Sequence, residues 1–192
     1  MSDLITKTQR ANRDKLASQV IEQLESDVAK VMDLLTNLKS RVTRDDLTGL
    51  LRRNEFFRKL DEMVALKGGD VAVILLDIDD FKRINDTDGH VVGDHVLQRV
   101  SSVLQRCLRT GAVAGRFGGE EFVLAICASP ERARVLAEAL RRQIQREVNV
   151  TVSVGVATAR KAEWDVRRLV GMADQALYEA KHAGKNRVCL AA

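Results

Sequence analysis

Residues 71–81 read VAVILLDIDDF, and this run decides how the chain folds. Six consecutive apolar residues, Val71 to Leu76, suit a buried strand, expected over Asp70–Asp77. The strand ends in a carboxylate, Asp77, and two more, Asp79 and Asp80, stand in the turn that follows. Carboxylates at the end of a buried strand need compensation, and a hard divalent cation with oxygen ligands is the usual source. Solvated surface acids need none, but surface acids rarely terminate an apolar run.

Downstream, the pattern alternates. Helices are expected from about Gly93 to Arg109, from Pro130 to Glu147 and from Val166 to His182. Strands are expected at Val113–Phe117, Glu121–Cys127, Val150–Ala157 and Arg187–Leu190. Gly118-Gly119 separates two strands by two residues, as in a tight hairpin. The hairpin carries Glu120 and Glu121, which alternate strand geometry sends to opposite faces. If it pairs with the Asp77 strand, these acids and Asp77 converge on one cluster. An antiparallel hairpin among alternating helices points to an α/β or α+β layer structure and away from a doubly wound parallel sheet.

Upstream, a helix is expected from about Arg53 to Lys67, and Asp45-Asp46-Leu47-Thr48-Gly49 reads as a helix stop and turn. The first 44 residues contain neither Gly nor Pro. Their apolar positions Ala17, Ile21, Leu24, Val28, Val31, Leu35, Leu38 and Val42 alternate steps of three and four, the spacing of a coiled-coil seam roughly 39 Å long at 1.5 Å per residue. A helix packed on its own domain is the alternative. Regular spacing and the polar residues between (Glu22, Glu25, Asp27, Lys30) favour self-association. The chain is therefore divided into a helical coiled-coil stalk, 1–44, and a compact domain, 45–192.

Composition excludes several classes. Of 192 residues, 45% are hydrophobic and 30% charged, with a single Pro, so neither disorder nor a fibrous repeat fits. No apolar run approaches the roughly 18 residues of a membrane span, and MSDLITKTQR has no signal-peptide core; a cytoplasmic protein without membrane contact is expected. The net charge of +4 hints at a polyanionic partner. However, six aspartates between Asp77 and Asp94 would repel a nucleic-acid backbone, so no nucleic acid is expected. Cys107, Cys127 and Cys189 lack disulfide or zinc spacing and read as small core residues.

The motifs DDLTGLLRR (45–53), LDIDDFKRIND (76–86), GHVVGD (89–94), RFGGEEF (116–122), SVGVA (153–157) and ALYEAKHAGKNR (176–187) together resemble the GGDEF-domain diguanylate cyclases, in that family's order and spacing. The resemblance spans about Asp45 to Leu190. It implies an α+β, palm-like nucleotidyl-cyclase domain with a mostly antiparallel sheet flanked by helices. The implied reaction condenses two GTP into cyclic di-GMP with release of two pyrophosphates, across a homodimer formed through the stalk.

Carried onto this chain, the resemblance implies that Asp77, the Ile78 carbonyl and Glu121 bind Mg²⁺ or Mn²⁺. Glu120 assists deprotonation of the ribose 3′-hydroxyl and shares the metal. Asn85 and Asp94 read the guanine edge. Lys82, Lys181 and Lys185 neutralise the β- and γ-phosphates, aided by the amides of Asp79, Asp80 and Phe81. Gly118 and Gly119 leave room for the nucleotide. The residues themselves assign Phe81, Phe117 and Phe122 to the core, and His90 to packing and hydrogen bonding.

Two departures from the family pattern stand out. Arg52 replaces the usual Asn after LTGL, and in Arg109-Thr110-Gly111-Ala112 the Asp of the RxxD product-inhibition turn is Ala112. No functional allosteric site is expected, Arg109 being a remnant. Competing readings are a non-catalytic nucleotide-binding or scaffold module, a cyclase of altered base specificity and a polymerase palm. Asp77, Glu120 and Glu121 argue against the first, Asp94 against the second, and the chain's length against the third.

Overall fold

The computed structural model describes residues 21–32, 34, 43–66, 69–107, 111–159 and 165–191. Ala17, Leu35, Leu38, Val42 and Arg109 lie outside them. The chain separates into two compact units, Met1–Val42 and Thr43–Ala192.

In the first unit, residues 21–32 form helix α1. Asp27 accepts from Gln23 and from Lys30, each at 3.1 Å, i±3 and i±4 pairs that support a solvated helix. Its seam residues Ile21, Leu24, Val28 and Val31 are all more than half exposed.

In the second unit the order is β1 (Leu51–Arg52), α2 (Arg53–Leu66), β2 (Val71–Ile78), α3 (Phe81–Asp88), α4 (His90–Cys107), β3 (Val113–Gly118), β4 (Glu121–Cys127), α5 (Pro130–Val148), β5 (Val152–Ala159), α6 (Val166–His182) and β6 (Val188–Leu190). Six strands make one sheet in the order β1-β3-β4-β2-β5-β6. The three inner pairings are antiparallel, while β1 and β6 add parallel edges. This is the expected α+β architecture.

Strand β2 lies inside the sheet and is buried along its whole length, which explains its unbroken apolar run. Its even residues, Ala72, Ile74 and Leu76, face a core shared with Leu97 and Leu104 of α4 and Leu140 and Ile144 of α5. Its odd residues, Val71, Val73 and Leu75, face Phe56 and Leu60 of α2 and Leu169, Ala173 and Leu177 of α6. By the same alternation Asp77 belongs to the α2/α6 face. Helix α6 packs backbone-close to β5 at Gly155, where a Cβ would stand 2.1 Å from the Ala173 carbonyl oxygen and 2.3 Å from the Leu177 amide nitrogen.

Several expectations are corrected. Helix α3 falls where no helix is expected: FKRINDTD buries only Phe81, so it carries no apolar periodicity. Strand β1 is two residues between the expected turn, Asp45–Gly49, and the expected helix from Arg53; it pairs with Gly115 and Arg116, and Leu51 also bridges Arg44. Helix α4 begins three residues before Gly93. The hairpin link is Gly119-Glu120, because β3 runs on to Gly118 through an irregularity after Arg116; Gly119 turns the chain with φ +47°. Cys127 is exposed at the end of β4, not a core residue, and His90, at the solvent-facing start of α4, is exposed, not packed. Phe81 and Phe122 are buried. Phe117 is half-buried and stacks on Phe57 with ring centroids 5.7 Å apart.

Candidate active site

Strand pairing brings the acids together. Asp77 lies directly across from Glu121 on β4 and from Ser153 on β5, and Glu120 occupies the adjoining turn, its carbonyl accepting from the Ile78 amide at 3.4 Å. From the last turn of α6, Lys181 Nζ reaches Asp77 Oδ2 at 2.7 Å; the Asp77 side chain is only 8% exposed. Burial pushes the Asp77 carboxyl above its ordinary value. Lys181 opposes that shift, and the charges of Glu120 and Glu121 add to it. Three carboxylates and one ammonium therefore act on one another.

The following turn separates its two aspartates. Asp79 is buried and structural: Oδ1 accepts from Ser153 Oγ at 2.6 Å and Oδ2 from the Asn186 amide at 3.1 Å. Its own amide donates to the Thr151 carbonyl at 3.0 Å, so it is not free for a phosphate as expected. Asp80 takes a left-handed conformation, φ 56°, and caps α3 without a side-chain bond. The first-turn amide of Phe81 has no intrahelical partner. Lys185, itself at φ 60°, reaches back to Asp80 Oδ1 at 2.6 Å. That hydrogen bond lowers the Asp80 carboxyl and raises the Lys185 ammonium. Lys82 is exposed on the first turn of α3 and has no ion-pair partner among the described residues.

Asn85 on α3 lies against Gly93 on α4, the residue before Asp94. A Cβ on Gly93 would lie 1.9 Å from Asn85 Oδ1, so Gly93 makes the space that the Asn85 side chain occupies. At Gly118 and Gly119 an added Cβ would find open space, so the chain itself demands only the turn geometry there.

The hairpin is held by a residue to which sequence reasoning gave no role. Arg116 donates from Nε and Nη2 to the Gly119 carbonyl at 3.0 and 2.7 Å, and from Nη1 to Asp45 Oδ1 at 3.0 Å. Asp45 also accepts from the Thr48 amide and hydroxyl. Burial pushes its carboxyl up, but these hydrogen bonds and the Arg116 charge outweigh burial and leave it below its ordinary value. Arg52, the departure from the family pattern, bonds to the Arg44 carbonyl and to Asp46, so it stays within the same turn. Ser153, Asn186 and Arg116 were missed because their partners are remote in sequence; only their places inside quoted motifs signalled them.

Glu121 opens onto a cavity of about 350 Å³ shared with Arg53, Phe57, Phe117, Arg167 and Asp174. Ala112 packs half-buried against the core and offers no carboxylate.

Comparison with known proteins agrees with this geometry. The family described as "Diguanylate cyclase, GGDEF domain" matches residues 42–187. Diguanylate cyclase A of Treponema denticola is 34% identical over 186 residues, 89% of this chain and 50% of that protein. Diguanylate cyclase DgcP of Pseudomonas aeruginosa is 37% identical over 180 residues, 88% of this chain and 27% of that protein. The chain thus spans half or less of the length of these relatives. The crystal structure of the coiled coil and GGDEF domain of DgcB from Caulobacter crescentus, in complex with c-di-GMP, superposes with a TM-score of 0.83 at 29% identity, covering 92% of this chain and 99% of that one. Diguanylate cyclase SiaD of Pseudomonas aeruginosa, in complex with its activator SiaC, gives a TM-score of 0.73 at 31% identity, covering 99% and 81%. With the family model spanning strands β1 to β5, the hairpin and its acids, this chain belongs to the GGDEF-domain diguanylate cyclase family.

Proposed function

We propose that this chain condenses two GTP molecules into cyclic di-GMP and two pyrophosphates across a dimer of its catalytic domains. The observation that carries the reading is the cross-strand pair Asp77 and Glu121, with Glu120 in the adjoining turn and Lys181 against Asp77. Among the described residues no three His, Cys, Asp or Glu side chains form a ready metal cluster. The donor set is two carboxylates and the Ile78 carbonyl, all hard oxygens, which fits Mg²⁺ or Mn²⁺. Bound there, such an ion would supply charge neutralisation on the phosphates and a lowered pKa at the attacking hydroxyl.

The remaining work falls to the chain. Glu120 takes the 3′-hydroxyl proton. Lys82, Lys181, Lys185 and the amides of Asp80 and Phe81 hold the β- and γ-phosphates. Asn85 and Asp94 hydrogen-bond to the guanine edge. Each domain holds one nucleotide, so the 3′-oxygen of one attacks the α-phosphorus of the other; the bond to pyrophosphate breaks, and the reciprocal step closes the ring. The exposed apolar seam of α1 supports a homodimer formed through the stalk. No described helix is long and apolar enough to cross a membrane.

The test is GTP conversion by the purified chain with Mg²⁺, the product identified by mass spectrometry. Cyclic di-GMP is expected from the unmodified chain and not from Glu121→Gln. GTP binding without turnover would instead support a non-catalytic nucleotide module.

A further inference from the structure

We propose that Lys181 couples cation binding to nucleotide binding: it neutralises Asp77 until nucleotide phosphates draw its ammonium away, and only then does Asp77 hold a dication tightly. The inference rests on the cation site proposed above.

The geometry supplies the competition. Lys181 Nζ lies 2.7 Å from Asp77 Oδ2, while the carboxylate is 8% exposed and the lysine 36%. An ammonium and a dication on the same half of a sheltered carboxylate repel each other across a few ångströms, with little water to screen them. The backbone of α6 is packed close against β5 at Gly155 through Ala173 and Leu177, one turn before Lys181. The four-carbon stem is the part that moves, and its partly exposed end has open solvent on one side. A triphosphate placed along the first turn of α3 offers that ammonium a more highly charged partner. Moving there, Lys181 leaves Asp77 for the cation and adds its charge to the phosphates. Coupling of this kind is reciprocal: the factor by which nucleotide tightens the cation equals the factor by which the cation tightens nucleotide.

Lys185 provides the contrast. It makes an equally short bond, 2.6 Å, but to Asp80, whose side chain is 49% exposed and outside the proposed ligand set.

Mn²⁺ binding to the full chain without nucleotide, followed by electron paramagnetic resonance, tests the proposal. Lys181→Met and Lys181→Gln are expected to tighten Mn²⁺ by about tenfold or more. Lys185→Met is expected to stay within about twofold, and Asp77→Asn to abolish binding. In EDTA, a non-reactive GTP analogue is expected to bind Asp77→Asn more tightly than the unmodified chain. The gain should exceed that of Glu121→Gln, which removes an equal charge with no lysine bonded to it. Mn²⁺ binding that is lost in Asp77→Asn yet equal in the unmodified chain and both Lys181 variants would overturn the coupling alone. Absent Mn²⁺ binding, or binding that Asp77→Asn leaves intact, would overturn the proposed cation site and the coupling with it.

Discussion

Arg116 and Asp45 are joined at 3.0 Å across 71 positions of sequence, and the same guanidinium grips the carbonyl of Gly119 with its other two bonds. The segment that opens the second unit is thereby fastened to the turn that presents Glu120 and Glu121. A planar fork is needed to serve both partners at once.

Arg116→Lys should therefore lower kcat by about tenfold or more, because one ammonium cannot reproduce two directions of bonding. Arg116→Ala should cost about 1.5–3 kcal/mol of stability in addition, the range for hydrogen bonds to charged groups. Steady-state kinetics and denaturant titration measure the two effects. Unchanged kcat in Arg116→Lys would show that the turn holds its shape without the fork.

Asp45 makes the same contact titratable. Its folded carboxyl lies below the ordinary 3.8. The stability it contributes is therefore present above that value and is lost as pH falls through the lower folded one. Chemical denaturation of the unmodified chain and Asp45→Asn should show a constant gap above about pH 5 that narrows below pH 4. A gap that widens on acidification would contradict the assignment.

Asp77→Asn, Glu120→Gln and Glu121→Gln should each reduce cyclic di-GMP formation to below a tenth while the chain stays folded. Each swap keeps the side-chain shape, and what it removes is charge at the reacting centre, worth several kcal/mol of barrier. Product yield and circular dichroism report the two parts. A variant retaining more than a tenth of the activity would leave the catalytic set.

Base selection should fail together with the α3–α4 corner. Gly93→Ala drives a methyl into Asn85 Oδ1, so it should mimic Asn85→Ala: a raised KM for GTP and a smaller preference over ATP, since a site built to pair with a base edge loses discrimination when its donors and acceptors are displaced. Competition kinetics with GTP and ATP decide this. Full preference in Gly93→Ala would remove Asn85 from the reading of the base.

Much of this site was legible because its evidence is local. Val71–Leu76 announces a buried strand, and its terminal Asp77 announces a demand for countercharge. Convergence with Glu121 required only that the hairpin pair with that strand. What escaped the sequence depends on partners far along the chain. Helix α3 buries one residue and carries no periodic signal. Strand β1 is two residues long and is recognised by its backbone pairings to β3 and Arg44. Asp79 looks like its neighbours Asp77 and Asp80, yet Ser153 and Asn186 turn it into a structural anchor. Whether Lys181 faces a phosphate or a carboxylate likewise follows from the seating of α6 on β5, which spacing alone does not fix.

Dimerisation through the stalk should set the concentration dependence of activity. Ile21, Leu24, Val28 and Val31 expose an apolar stripe on α1 that a second copy would cover. If each domain holds one nucleotide, a tether of this length raises the effective concentration of the two domains to roughly millimolar. Replacing Leu24 and Val31 with Glu should yield a monomer by analytical ultracentrifugation, and its product formation should rise with the square of enzyme concentration where the unmodified chain's rises linearly. Like charges facing each other across the seam would also make residual association salt-dependent. Restoring activity by fusing an unrelated parallel coiled coil in the same register would separate loss of tethering from damage to the catalytic domain. A double variant that stays dimeric and fully active would place the interface on the second unit instead.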